Sequence, residues 1–173
     1  YFKLLFDSIL EQNCKIPPEG QIDYALKMLS GLDAKRKCSQ GARCLTNYIN
    51  VDDIGNATLC PKFVDYENFR FGNVCDTPIK ELISITNPVV RRLIEERCHA
   101  LNQCGSEACE YYDLCKGGCP YYSYLNGTDG SVARRTVLCQ GTRDLFQHIH
   151  NKLKFYGIKT ANKIISKPQQ PCA

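Results

Sequence analysis

A chain of 173 residues with 22 Lys and Arg against 18 Asp and Glu carries a net charge of +4, too weak and too dispersed to argue for nucleic acid as a partner. It contains no run of eighteen apolar residues, so nothing in the sequence reads as a membrane span. Twelve cysteines, beside no Trp and one Met, are well above an ordinary share yet below the roughly 8–10% that marks short secreted disulfide scaffolds.

The chain opens on Tyr1 inside an apolar segment with no initiator Met, and it reads as a piece of a longer protein. Phe2, Leu5, Phe6, Ile9 and Leu10 recur at i, i+3, i+4, i+7 and i+8, the stripe of an amphipathic helix. Pro17-Pro18-Glu19-Gly20 breaks it, and a second helix follows with Ile22, Leu26 and Leu29 inward, ending near Gly31. Residues 1–34 are therefore two linking helices, and a thiol-rich domain runs from 35 to 140. The basic cluster Lys35-Arg36-Lys37 reads as a solvated loop, and Cys38 to Cys44 as polar loop. Leu45 to Val51 alternates like a strand, Asp52 to Asn56 reads as a turn, and Ala57 to Cys60 as the return strand. A hairpin brings its ends together, so Cys44 and Cys60 are expected near one another.

Phe63 to Phe71 is aromatic and loop-like, a candidate substrate-contact loop, and Gly72-Asn73 reads as a turn. Thr77-Pro78 offers an N-cap and a first-turn proline for a short helix through Ile83. Asn87-Pro88 repeats the device and starts a helix with Val90, Leu93, Ile94 and Arg97 on one face. That helix leads to Cys98 and to a dense run, Cys104, Cys109, Cys115 and Cys119. Tyr111, Tyr112, Tyr121, Tyr122 and Tyr124 surround the run and read as a wall against water. Asn126 to Gly130 is a loop. Gly141-Thr142 caps a C-terminal helix within 141–166, with Leu145, Phe146, Ile149 and Leu153 as its core stripe and a stop at Gly157. Residues 167–173 are a tail in which Cys172 is incidental. The fold class is α+β: a small domain with a β-hairpin, cysteine-rich loops and flanking helices.

Thiols this dense can pair as disulfides, hold zinc or hold an iron–sulfur cluster. The Cys104–Cys109 spacing suits a zinc knuckle; Cys109–Cys115 and Cys115–Cys119 suit one less well. Gly117 and Gly118 have no Cβ, which lets backbone approach an inorganic core. Cys38-x5-Cys44-x15-Cys60, then Cys104-x4-Cys109-x5-Cys115-x3-Cys119 and Cys139, resembles the SPASM domain of radical SAM enzymes. That family has thiols before and after a Gly-containing hairpin, a Gly-Asn step, then Cys-x2-Cys-x5-Cys-x3-Cys and a final downstream Cys. Here the Gly-Asn step is Phe71-Gly72-Asn73-Val74, and Cys115-Lys-Gly-Gly-Cys119-Pro matches the family's Cys-x-Gly-Gly-Cys form. The resemblance covers residues 38–139.

The resemblance implies two auxiliary four-iron four-sulfur clusters with crossed ligation. The first would take Cys38, Cys44, Cys60 and Cys119; the second, Cys104, Cys109, Cys115 and Cys139. It implies a parent radical SAM maturase that crosslinks or otherwise modifies a ribosomally made precursor peptide. S-adenosylmethionine and a third cluster would lie in an upstream partial TIM-type barrel, because the Cys-x3-Cys-x2-Cys motif is absent here, so the fragment alone is expected to be inactive. An external electron donor or acceptor and a cytoplasmic location are implied as well. Three features depart from the pattern. The Cys104–Cys109 gap is four residues instead of two, which leaves Cys98 as a rival to Cys104. Cys75 is either an alternative ligand or a buried small hydrophobe. In the sulfatase-maturing branch an Asp acting as a base follows the hairpin Cys; here that residue is Pro61, so formylglycine formation is not expected.

Two rival classes are a zinc-binding interaction module and a secreted disulfide-rich domain. For the latter, Asn56-Ala-Thr58 and Asn126-Gly-Thr128 match the glycosylation pattern, although both fall in expected turns. His148 and His150 face different ways on a helix, so joint metal binding is not expected; His99 is a weak ligand candidate. With so many thiolates and little apolar sequence between them, folding is expected to depend on metal.

Overall fold

Asp52 shapes the centre of the thiol-rich segment. Its carboxylate accepts hydrogen bonds from Ile54 N (3.1 Å), Asn56 N (2.7 Å) and Asn56 Nδ2 (2.9 Å), which closes a tight turn between two short strands. A computed structural model describes residues 1–17, 20–34, 36, 38–40, 44–106, 109–157 and 163–165. Among these the helices run α1 (Phe2–Glu11), α2 (Gln21–Leu29), α3 (Cys44–Asn47), α4 (Ile79–Leu82), α5 (Pro88–Ser106), α6 (Tyr112–Cys115), α7 (Pro120–Tyr124) and α8 (Cys139–Tyr156). Strands β1 (Asn50–Val51), β2 (Asn56–Thr58) and β3 (Arg70–Asn73) form one antiparallel sheet in the order β1-β2-β3. The chain is thus α+β. It divides into two units: Tyr1–Arg36 with Gln140–Ala173, and Lys37–Cys139.

In the first unit α1 buries Phe6 and Ile9, α2 buries Ile22, Ala25 and Leu26, and α8 buries Leu145, Phe146, Ile149 and Leu153. The α8 stripe is the one the sequence spacing predicts, although the helix begins at Cys139, ahead of Gly141-Thr142. Phe2 and Leu5, expected inward on α1, are exposed. Asp7 Oδ1 accepts from His148 Nε2 at 2.8 Å and pairs with Lys152 Nζ at 3.1 Å. His148 is therefore engaged by a carboxylate. Pro18, Glu19, Lys35, Lys37 and the tail with Cys172 lie outside the described residues.

In the second unit β2 pairs with β1 (Asn50 opposite Thr58) and with β3 (Asn56 opposite Asn73). The hairpin is present but shorter than its alternation suggests. Residues 44–47 form a helical turn instead of strand, because Leu45 and Ile49, four apart, both pack on the apolar cluster and that spacing also fits a helix. Gly72-Asn73 is the end of β3, not a turn. Gly72 has φ 137°, and a Cβ there would lie 2.6 Å from Leu82 Cδ2, so the residue that reads as a turn signal is a close strand–helix approach. Asn87 caps α5 as expected, its Oδ1 accepting from Val89 N at 3.0 Å and Val90 N at 3.4 Å. Thr77 does not cap α4; Pro78 occupies that position with no side-chain cap.

Phe63 to Phe71, expected as an outward contact loop, builds the interior. Phe63, Phe69 and Phe71 join Ala57, Leu59, Leu82, Val90, Leu93 and Val132 in one buried apolar cluster. Phe63 and Phe69 stack with centroids 4.1 Å apart, and Tyr121 and Tyr124 meet Phe63 edge-on at 5.5 and 6.1 Å. Two of the tyrosines read as a wall against water are thus packed on this core, and the expectation of little apolar core is wrong. The run is buried because its aromatics sit in successive 3-10 turns, Pro61–Phe63 and Glu67–Phe69, that fold them to one side. Phe69, fully buried, also takes the Arg92 guanidinium at 5.5 Å from its ring centroid. Phe69→Ala is expected to lower unfolding free energy by about 3–5 kcal/mol in both metal-free and metal-loaded protein, read by denaturant titration. An unchanged midpoint in the loaded protein would return the whole burden of stability to metal.

Candidate metal centres

The inward face of α5 continues past Val90 and Leu93 to Arg97, which is only 2% exposed. Its guanidinium donates to three consecutive backbone carbonyls: Lys116 O (3.0 Å), Gly117 O (3.1 Å) and Gly118 O (2.6 Å). Those three residues are all left-handed, with φ of 49°, 74° and 69°. Lys116 ends α6 and the turn delivers the chain to Cys119, the residue that precedes Pro120 and α7. A Cβ on Gly117 would sit 2.5 Å from Leu101 Cδ2, and one on Gly118 2.8 Å from Thr136 Cγ2. The space that these glycines leave is taken by side chains of this chain, where the sequence suggested room for an inorganic core.

The turn separates Cys115 from Cys119 by three residues and gives them different neighbours. Burial first, then the charge of Cys119 and of Cys38, push the Cys44 thiol up to about 11, with Arg97 opposing. Cys60 is raised by burial and by Cys119 and Cys38, against a backbone hydrogen bond from Lys62. Cys115 is pushed up to about 11 by burial first, then by Cys139, Cys104 and Cys109, against a backbone hydrogen bond from Gly117. Cys104 is raised by burial, Cys139 and Cys109, with Arg135 and Arg97 opposing. Neighbouring thiols thus add to burial in raising these groups: Cys119 and Cys38 at Cys44 and Cys60, and Cys139 and Cys109 at Cys104 and Cys115.

Among the described cysteines none is in a disulfide. Among the described residues no three Cys, His, Asp or Glu side chains converge on the volume of a single metal ion. A single zinc needs four donors about 2.3 Å from one point, whereas each thiolate of an iron–sulfur core binds its own iron and stands further from the others. Two other observations bear on an anionic group: the thiol donor sets themselves, and the buried Arg97 Nε, which has no acceptor among the described residues.

Cys104 lies near the end of α5, half-buried and within reach of the Cys139 and Cys109 charges, whereas Cys98 on the same helix is exposed. Cys75 is exposed too, which excludes the buried-hydrophobe reading; its N–H donates to Asn73 Oδ1 at 2.8 Å. Cys14 is exposed. His99 Nδ1 lies 3.0 Å from Ala133 O on the surface, away from a donor role to metal that any thiol shares. The Asn56 amide is held by Asp52, Thr58 is 1% exposed, and Asn126 Nδ2 donates to Arg135 O at 3.0 Å, so both glycosylation patterns are committed to internal bonds. Arg97 is the residue that sequence reasoning undervalued. Its signal was an arginine at an inward position of an apolar stripe. Lys62 is a second cation at the thiols: its Nζ lies 4.4 Å from the Tyr122 ring centroid and 3.4 Å from Tyr122 Oη, beside Cys60.

The fold is similar to part of solved structures of an anaerobic sulfatase-maturating enzyme, anSMEcpe, which is a radical SAM enzyme. The native form with bound AdoMet gives TM-score 0.64 at 22% identity over 93% of this chain and 41% of that chain. A polyhistidine-tagged form with bound AdoMet gives TM-score 0.61 at 23% identity over 95% of this chain and 40% of that one. A native form with bound AdoMet and Cp18Cys peptide gives 0.58 at 22% identity over 94% and 42%. At these identities the likeness is one of fold, and the chain spans about two fifths of the enzyme's length. No protein-family model and no curated protein matches the sequence. No described helix is long and apolar enough to cross a membrane.

In metal-free protein a thiol-blocking reagent at pH 8 is expected to modify exposed Cys14, Cys38, Cys75 and Cys98 first, and Cys44 and Cys115 last, by mass spectrometry of timed digests. The two slow thiols ionise near 11 when folded and near 9 when unfolded, so the unfolded chain loses their protons first as pH rises. The metal-free fold is therefore expected to lose stability from pH 9 toward 11, and to be indifferent to these two groups below 9.

Proposed function

We propose that residues 38–139 are the auxiliary-cluster domain of a radical SAM maturase that modifies a ribosomally made peptide. Cys38, Cys44, Cys60 and Cys119 would hold one four-iron four-sulfur cluster, and Cys104, Cys109, Cys115 and Cys139 a second. The observation that supports this reading is the left-handed turn of Lys116, Gly117 and Gly118 that separates Cys115 from Cys119, four residues on, with Cys119 raising Cys44 and Cys60 while Cys139 and Cys104 raise Cys115. The lack of disulfide pairing among the described cysteines speaks against the secreted scaffold and suits a reducing compartment such as the cytoplasm.

When bound, such clusters supply one-electron acceptors close to a substrate radical, so that an electron can leave as a new bond closes. The chain's own residues keep the two sets distinct, bury Cys44 and Cys119, and back them with an apolar core. The remainder of the machinery, an upstream partial barrel with S-adenosylmethionine and a third cluster, is part of the proposal. So are a precursor peptide and an external electron donor or acceptor. Neighbouring structures described with bound AdoMet and with a bound peptide support that part. Pro61 stands where the sulfatase-maturing branch places its Asp base, so the bond made is other than formylglycine.

The full-length protein purified without oxygen is expected to contain about eight irons and eight sulfides assignable to this region. Cys115→Ala and Cys119→Ala are each expected to remove about four, and to remove different electron paramagnetic resonance signals. A colourless protein loaded with zinc would replace this reading with the interaction module, and both variants losing the same signal would remove the crossing.

A further inference from the structure

We propose that Arg97 is a positioning residue common to both clusters, its fork fixing the turn that sends Cys115 and Cys119 to different sets and its charge favouring the reduced state of each. This rests on the cluster reading above. Arg97 is a cation buried against the segment that joins Cys115 to Cys119, one thiol of each proposed set. It donates to Lys116, Gly117 and Gly118 carbonyls with Nη1 and Nη2, and only Nε is left without an acceptor among the described residues. Carbonyl dipoles do not neutralise a full positive charge. A buried guanidinium answered only by backbone is costly, and anionic cores on either side remove that cost.

Adding one electron to a cluster makes it more negative by one charge, with no bond formed or broken. A fixed cation in a medium of low dielectric stabilises the more negative member of such a pair. Because Arg97 holds the three residues between Cys115 and Cys119, one ligand of each proposed cluster, its removal is expected to move both potentials in the same direction. Lysine can replace the charge but not the planar fork that spans three carbonyls.

The test is a reductive titration of the anaerobically purified full-length protein with a low-potential chemical reductant, followed by electron paramagnetic resonance. Signals lost in Cys44→Ala and in Cys104→Ala assign the two clusters. Arg97→Gln is expected to lower both assigned potentials so that the reduced-to-oxidised ratio at a fixed potential falls at least tenfold, about 59 mV for one electron. Arg97→Lys is expected to restore most of the potential in both clusters while lowering iron content, because the turn is no longer held by a fork. Arg91→Gln, a surface arginine of the same helix, is expected to leave both potentials in place.

Full loading of Arg97→Gln with unchanged potentials overturns the proposal, as does a shift confined to one cluster. If both Arg97 variants lose their far-ultraviolet circular dichroism before metal is added, Arg97 is a prop of the fold and the assignment of its charge is withdrawn. Wild-type protein without iron would instead remove the cluster reading itself, so the two failures are distinguishable.

Discussion

Three left-handed residues in succession, held by one buried arginine, are the constraint on which the thiol arrangement turns. Left-handed backbone is tolerated by glycine and disfavoured elsewhere, so Lys116 carries strain that Gly117 and Gly118 do not. The run is stable because Arg97 meets all three carbonyls and because Leu101 and Thr136 close the space where side chains would be. Without that reversal, Cys115 at the end of α6 and Cys119 at the start of α7 would lie along one continuous path. With it, the chain reverses between two thiols four positions apart, from the end of α6 to the start of α7.

The same helix serves two environments. Near its start α5 offers Val90 and Leu93 to the aromatic cluster of Phe63, Phe69 and Phe71; a turn later it offers Arg97, and near its end Cys104, to the thiols. Apolar packing and the placement of thiols are therefore in series along one element. The apolar cluster sets where α5 lies, and α5 sets where the 116–118 turn and Cys104 lie. Burial that raises Cys44 and Cys115 to about 11 keeps these groups as neutral thiols at neutral pH.

The features legible in the sequence were those carried by a single period or a single cap. The α8 stripe of Leu145, Phe146, Ile149 and Leu153, and the Asn87 cap before Pro88, each depend on residues a few positions apart. The features misread depended on tertiary contacts. Leu45 and Ile49 satisfy a strand and a helix alternation equally, and packing on the apolar cluster selects the helical turn. Gly72-Asn73 has the composition of a turn, and the proximity of Leu82 to Gly72 is what made glycine necessary there. Phe63 to Phe71 lacks a regular period because its aromatics are turned inward by 3-10 geometry. At the candidate site the spacing pattern singled out the eight thiols, but not the cation between them: one arginine in an apolar stripe has no sequence signature beyond its position.

Pro61 bears on how far a shared fold carries a shared reaction. It occupies the first position of the 3-10 turn Pro61–Phe63, directly after Cys60, and has neither a carboxylate nor an N–H. The next residue is Lys62, whose ammonium lies over the Tyr122 ring. The surface beside Cys60 is thus a proline, a cation and a phenol, none of which is an ionised carboxylate ready to take a proton at neutral pH. Likeness in fold to a sulfatase-maturating enzyme does not carry its reaction with it, because one fold can present different side chains, and the side chains select the chemistry.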